Sequence, residues 1–454
     1  MMMNPNVATL LSLIAAVQFG TASASLRQRY SSETHAAAVQ SSPSSVEDED
    51  EPPLYEPPSE PESLIAMQFT SDPYEHRDRM EMIKSGELGL AAIRFSPISF
   101  AAGANGDDGQ YTDVHGEFCV FDSTLNKKDP ANYPTINDVM GESEHCGEHR
   151  YTIPLREVVQ AVREFDISGT KNSNMKHLPV SGLLFHEGYS GAGLISNALT
   201  TFDSTLVISE HAAIRDAVSA CDVVRNRYKS ENCSPAMQRQ LVQDVISLLS
   251  RTSNASIQHL YLKLPSASSA YLPMLRSLYP DAKWAFVYRK AEDALAKTTQ
   301  RKRNSTCIKS RRNPTTALSA KSNEYNVDLE QLSHHEICAL HLSSLLDTAI
   351  REHDESGTGM LVSYDDDILS NADTMVNVIL PYFGLQEDID SNPQVARDHV
   401  IEILSMRSNT SARLNPEDKQ WNADGENIEV SEEIGTASKV FMSNSMDSIK
   451  RSRL

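Results

Sequence analysis

A three-layer α/β sandwich, with helices on both faces of a parallel sheet, is the fold class that this 454-residue chain predicts. Two observations carry it. Between about 176 and 405, short apolar runs alternate with longer amphipathic ones, the pattern of βαβ crossovers. One junction, HEGYSGAG at 186–193, is rich in glycine and joins strand-like VSGLLF to helical LISNALTTF, the place where an open parallel sheet meets its ligand.

In chain order the strand candidates are VSGLLF (180–185), TLVIS (205–209), QHLYLKL (258–264), WAFVY (284–288) and GMLVSY (359–364). Helical patterns fall between them: from near Ala192, in AAIRDAV, near 235–251, in AYLPMLRSL, in EDALAK, near 328–353, and last in a stretch ending at Phe383. Residues 67–175 mix short apolar runs (LAAIRFSPISF, FCVFD) with turns and one helical pattern, PLREVVQAVREF, and read as an accessory region. The N-terminus has an apolar run from Val7 to about Phe19 followed by Ala22-Ser23-Ala24, which reads as a signal peptide over 1–24. An uncleaved anchor is the alternative, although the run is shorter than the ~20 residues of a membrane span. Residues 25–66, rich in Ser, Pro and acids, read as a disordered linker. Residues 406–454 read as a polar, mostly irregular tail.

A formal net charge of -21 excludes broad nucleic-acid binding, which needs a whole face of cations. A local basic patch remains available to a small anion. The run KTTQRKRNSTCIKSRR, 297–312, has no acid and either guides an anionic ligand or is a surface loop. Six cysteines follow the cleavage site, and in an oxidising compartment an even count permits disulfides whose pairing is not legible. Cys221 and Cys338 fit buried free thiols equally well. Sequons at Asn254, Asn304 and Asn409, with a weaker one at Asn232, agree with a lumenal or secreted protein.

The glycine-rich loop admits three readings. Gly188 to Gly193 has the spacing of a nucleotide-triphosphate loop, but Leu194 and Ile195 stand where its Lys and Ser/Thr belong. Gly191-Ala192-Gly193-Leu194-Ile195-Ser196 is a variant dinucleotide loop, with Glu210 placed to bind a ribose, as an NAD-binding oxidoreductase would need. The third reading is a cradle for a single phosphate.

A second anchor favours the third. WAFVYRKAEDALAK ends a strand at Arg289 and opens a helix with an acidic first turn. Together with the loop it resembles the sulfotransferase family. LVISEH, LYLKLPS, YPDAKWAFVYRK, LVSYDDDI and LPYFGL are similar, in the same order, to that family's segments over 176–386. The resemblance implies a P-loop type fold and 3'-phosphoadenylyl sulfate as co-substrate. Gly188, Tyr189, Ser190, Gly191, Ala192, Gly193 and Leu194 would cradle its 5'-phosphate; Arg289, with Lys297 in place of a usual Ser, would take its 3'-phosphate. It also implies a hydroxyl acceptor, a carbohydrate among the candidates, and no metal. The chain departs from the family at Tyr189, where Arg or Lys is usual, at Ala192 and Gly193 in place of Ser-Thr, and at Ala291 in place of Pro.

Sulfuryl transfer asks the protein to align donor and acceptor, stabilise charge and remove one proton. Glu210 is the candidate base, with His186 and Glu187 as alternatives and helix capping as its plain role. Lys263 is the candidate electrophile, or else a solvated strand end. Arg289 has a plain alternative in an ion pair to Glu292 or Asp293. His334, His335, Cys338 and His341 share a helical face that zinc would accept, and Asp365, Asp366 and Asp367 could cap a helix. A degenerate family member that binds without turnover is the second function class.

Overall fold

The apolar runs form strands because each is short, rich in branched and aromatic residues, and bounded by turn residues. In the structure, a computed structural model, the described residues are 73–96, 111–130, 132–148, 150–168, 175–222, 233–300, 306–312, 314–369, 372–405 and 430–453. The proposed signal peptide, the acidic linker, three of the sequons and residues 406–429 lie outside them.

The strands in chain order are β1 (Gly89–Phe95), β2 (Val114–Cys119), β3 (Tyr151–Pro154), β4 (Lys176–His177), β5 (Val180–His186), β6 (Thr205–Ser209), β7 (Arg251–Thr252), β8 (His259–Lys263), β9 (Lys283–Tyr288) and β10 (Met360–Ser363). Five of them make one sheet in the order β10-β9-β5-β8-β6, every pair parallel. Side chains alternate across it with period two. Leu183, Phe185, Leu260, Leu262, Trp284 and Phe286 face one core, shared with helices Ala212–Val218, Pro235–Leu249, Ala291–Thr299 and His334–Ser356. Leu184, Tyr261, Ala285 and Val287 face a second core under helices Ala192–Thr200 and Pro393–Ser405. Both faces are covered, which gives the three-layer α/β sandwich and explains the near-continuous apolar strands.

The region 67–175 contributes a three-stranded antiparallel sheet, β1-β2-β3. Its Leu90, Ile93, Val114, Phe118 and Ile153 belong to the first core. Polar anchors fix it there. Asp244 accepts from the Tyr111 hydroxyl at 2.8 Å and pairs with Arg163 at 2.6 Å. Arg251, its side chain 4% exposed, donates to the Ile83 and Lys84 carbonyls at 2.9 and 2.6 Å and pairs with Asp166 at 3.0 Å.

Two sequence expectations change. The C-terminal tail is not irregular over 432–453: it forms helices Glu432–Phe441 and Ser443–Arg453, the first capped by Ser431. Its low average hydropathy hides a stripe of Ile434, Ala437, Phe441, Met446 and Ile449 at helical spacing, all buried in the first core. The cysteines pair as Cys119–Cys146, Cys221–Cys233 and Cys307–Cys338, so Cys221 and Cys338 are not free thiols. No helix among the described residues is long and apolar enough to cross a membrane.

Removing Arg251 would take the donor from two carbonyls and the guanidinium from Asp166, which keeps its contact with His177 at 2.6 Å. Arg251→Ala should cost about 3–5 kcal/mol, the scale of breaking a buried pair, read as a lowered urea midpoint. A midpoint unchanged from wild type would show that the clamp is idle.

Candidate functional site

A parallel sheet covered on both faces leaves polar chemistry only at its strand ends. After β5 the chain runs to β6 and β8 on one side and then crosses to β9 and β10 on the other. The order therefore reverses between β5 and β9, the crevice where open α/β sheets bind ligands. The predicted loop and Arg289 border this crevice.

The loop is shaped by left-handed residues: Gly188 at φ +102°, Tyr189 at +52° and Gly191 at +83°. Gly191 also allows close approach, since a Cβ there would lie 2.2 Å from the Tyr364 ring. His186 holds the loop start, its Nδ1 accepting the Gly188 N–H at 3.0 Å, and Ser190 donates to the Val287 carbonyl at 2.8 Å. Helix Ala192–Thr200 begins at Gly191, which has no side chain to cap it. Its first-turn N–H groups at Ala192 and Gly193 thus carry the helix's positive end at the crevice, whereas the Leu194 N–H, counted in the cradle by the sequence reading, donates to the Gly191 carbonyl at 2.9 Å. Across that crevice Arg289 donates to the Tyr189 carbonyl at 3.2 Å and lies over the Tyr364 ring, 4.9 Å from its centroid. It also meets Asp293 at 3.5 Å, so the plain ion pair coexists with the loop contact.

Glu187 sits beneath both. One carboxylate oxygen accepts the Arg289 N–H at 2.7 Å, while the other is buried without a partner. Burial pushes its pKa up to about 8, against the pull of Arg289. Burial thus favours the protonated acid, the form that places no negative charge beneath an anion-shaped loop.

At the ends of β6, β8 and β5 stand Glu210, Lys263 and His186. Glu210 follows β6 at φ +53°, an uncommon conformation for a residue with a side chain. Its N–H donates to the Lys263 carbonyl at 2.8 Å, and its own carbonyl accepts from the Asn137 amide at 2.9 Å. The Glu210 carboxylate pairs with the Lys263 ammonium, and His186 Nε2 lies 3.7 Å away. Burial pushes the Glu210 carboxyl up, but Lys263 and His186 outweigh it and hold it well below the usual range. Burial lowers the His186 ring.

Several sequence alternatives are thereby decided. Glu210 does not cap the following helix; His211 does, its Nδ1 accepting the Ala213 N–H at 3.1 Å while Nε2–H donates to the Leu90 carbonyl at 3.0 Å. Lys263 is not a solvated strand end, since its side chain is 3% exposed. The dinucleotide reading fails on strand order: that fold pairs the loop strand with the strand that follows it, whereas β8 separates β5 from β6. Lys297 lies half-buried in the last turn of helix Ala291–Thr299, about 9 Å along the axis from its start.

Cys338 is committed to Cys307, which removes a thiolate from the possible zinc face, and burial pushes His341 down to about 4. Among the described residues no group of three or more His, Cys, Asp or Glu side chains is placed to hold a metal. Asp366 accepts from Ser363 and Arg453, and Asp367 from the Ser363 N–H and Arg453. Asp365 accepts the Lys290 N–H at 2.8 Å. In the basic run, residues 301–305 lie outside the described residues, and Arg311 donates to the Leu332 carbonyl at 2.6 Å.

Tyr364 and Asn137 were missed from the sequence. Tyr364 had a signal, an aromatic residue directly after a strand at the ligand edge. Asn137 had none, because its contact with Glu210 spans 73 residues.

No family model matches this chain, and no curated protein does. Among solved structures it is similar to a sulfotransferase domain from the curacin biosynthetic pathway, at 9% identity over 61% of this chain and 98% of that one, TM-score 0.31. It is also similar to sulfotransferase STF9 from Mycobacterium avium, at 10% identity over 72% and 87%, TM-score 0.34. At that overlap neither neighbour assigns a role to any residue here.

The buried acid makes a signed prediction. The folded chain keeps the Glu187 proton that the unfolded chain loses near pH 4.3, so this contribution is fully present below that pH and is lost as pH rises toward 8. Relative to Glu187→Gln, wild-type stability should fall by up to about 1.4 kcal/mol per pH unit across that window. Parallel urea-midpoint curves for the two proteins would overturn it.

Proposed function

We propose that this chain binds 3'-phosphoadenylyl sulfate across the β5–β9 crevice and transfers its sulfuryl group to a hydroxyl acceptor. The observation that carries the reading is the split geometry: an uncapped helix N-terminus and Arg289 meet at the loop, while Glu210 and Lys263 meet one strand away. The first pair suits an anion held by backbone donors and one cation. The second suits proton removal and charge stabilisation.

In this mechanism loop amides and Arg289 hold the donor's phosphates. The acceptor oxygen bonds to sulfur as the bond from sulfur to the bridging phosphate oxygen breaks. Adenosine 3',5'-bisphosphate leaves, and the acceptor proton passes to Glu210. The free protein keeps Glu210 too acidic for that task, because Lys263 neutralises it. Drawing Lys263 onto the sulfuryl oxygens would remove the largest pull toward the ionised carboxylate and leave burial opposed by His186 alone among the named partners, which raises its basicity. Donor binding would then switch on the base.

A second reading, binding without turnover, is favoured by Tyr189, which is 37% exposed where the resemblance implies a cation. The three disulfides support an oxidising compartment, the secretory pathway, where the exposed Asn254 would accept a glycan.

Calorimetry at low salt separates the classes. Adenosine 3',5'-bisphosphate should bind and NAD should not, and Arg289→Ala should weaken binding by about 1.5–3 kcal/mol, the scale of a charged hydrogen bond. Glu210→Gln should leave that affinity nearly unchanged while abolishing transfer. NAD binding in place of the bisphosphate would sink the proposal. Bisphosphate binding without transfer to any hydroxyl acceptor would select the second reading, with Tyr189→Arg as the restoring change. For the compartment, endoglycosidase should shift the mobility of protein made in a eukaryotic host, and an unshifted band with an intact N-terminus would refute it.

A further inference from the structure

The π-helical turn Tyr364–Ile368 that follows β10 is held from three sides. The Tyr364 ring touches Gly191 and lies under the Arg289 guanidinium. The Asp365 carboxylate accepts the N–H of Lys290, the residue after Arg289. Asp366 and Asp367 both pair with Arg453, Asp366 at 2.9 Å. One short turn therefore joins the loop, the Arg289 strand end and a helix near the far end of the sequence.

That helix, Ser443–Arg453, is firmly placed on the long helix His334–Ser356. Ser445 shares a hydrogen bond with Ser343 at 2.8 Å and donates to Asp347 at 2.5 Å. His353 Nε2–H donates to the Ser452 carbonyl at 3.2 Å. Arg453 thus reaches Asp366 and Asp367 from a rigid support. Three consecutive carboxylates in one turn repel each other, and Arg453 is the cation that meets two of them. The pairs are partly exposed, with the Arg453 side chain 29% exposed, so their worth to overall stability is small. Their effect falls on the geometry of the turn.

We infer that Arg453 is a positioning residue for the β5–β9 anion site, holding the Tyr364–Ile368 turn so that Tyr364 braces Gly191 and Arg289 while Asp365 braces Lys290. The ligand half of this inference rests on the function proposed above; the positioning half does not. Ser363 still donates to Asp366 and Asp367, but without Arg453 their repulsion loosens the turn and shifts Tyr364 against the loop. The loop amides and the guanidinium then lose their common alignment.

The test uses the full chain and two readouts, amide hydrogen exchange in the unliganded protein and calorimetric affinity for adenosine 3',5'-bisphosphate. Arg453→Gln should speed exchange in 186–195 and weaken the bisphosphate by about 3- to 30-fold, the usual range for coupling through a packed network. Exchange in β2, remote in sequence and in sheet, should stay at its wild-type rate. Arg453→Lys should recover most of both effects. Adding Asp366→Asn and Asp367→Asn to Arg453→Gln should also recover them, because the repulsion is gone, an outcome that loss of packing alone would not produce. Unchanged exchange in 186–195 overturns the inference whatever the nucleotide does. Faster exchange in β2 together with the loop would show general loosening and overturn it as well. If wild type does not bind the bisphosphate but loop exchange still depends on Arg453, the positioning stands and the nucleotide reading falls.

Discussion

Burial of the parallel sheet on both faces is the constraint from which the site follows. Strands that are apolar on each side cannot carry charge along their length, so ionisable groups collect where the strands end. There they are still largely buried, and a buried charge must be paired or neutralised. Lys263 and Glu210 follow the first course. Glu187 follows the second, keeping its proton beside a loop whose donors suit an anion. The contrast between the glutamates that follow β5 and β6 comes from their partners: an ammonium and the His186 ring face Glu210, whereas Glu187 meets a backbone N–H and a guanidinium engaged elsewhere.

The strand ends are assembled from parts far apart in the chain. Asn137, from the region before the α/β layers, supports the left-handed Glu210. Arg453 supports the turn beneath Gly191 and Arg289. Neither the N-terminal sheet nor the last helices are appendages, because their apolar stripes enter the same core as one face of the sheet. A site built this way has its conformation set by several elements at once, which is how uncommon backbone angles at Tyr189 and Glu210 persist.

The ion pair at Glu210 also frames how activity would be regulated by substrate. In the proposed function, a carboxylate held acidic by a neighbouring ammonium would stay idle until a donor that attracts the ammonium freed it. Catalytic power and donor binding would then be linked through Lys263, with no movement of the sheet.

From sequence alone, the alternation of short apolar runs with amphipathic ones determined the five parallel strands, the helix after the glycine-rich loop and the strand-end position of Arg289. These are local matters: period, turn residues and run length decide them. The helices at 432–453 were also written in the sequence, as a stripe of Ile434, Ala437, Phe441, Met446 and Ile449, but average polarity concealed it. Only the tertiary structure decided strand order, and with it the loss of the dinucleotide reading, since a run of residues does not state its neighbour. Disulfide pairing, the burial of Lys263, the charge states of Glu187 and Glu210, and the reach of Arg453 to Asp366 were likewise settled in three dimensions. Each depends on which groups meet across long separations, and the local pattern of a chain contains no record of distance between residues far apart along it.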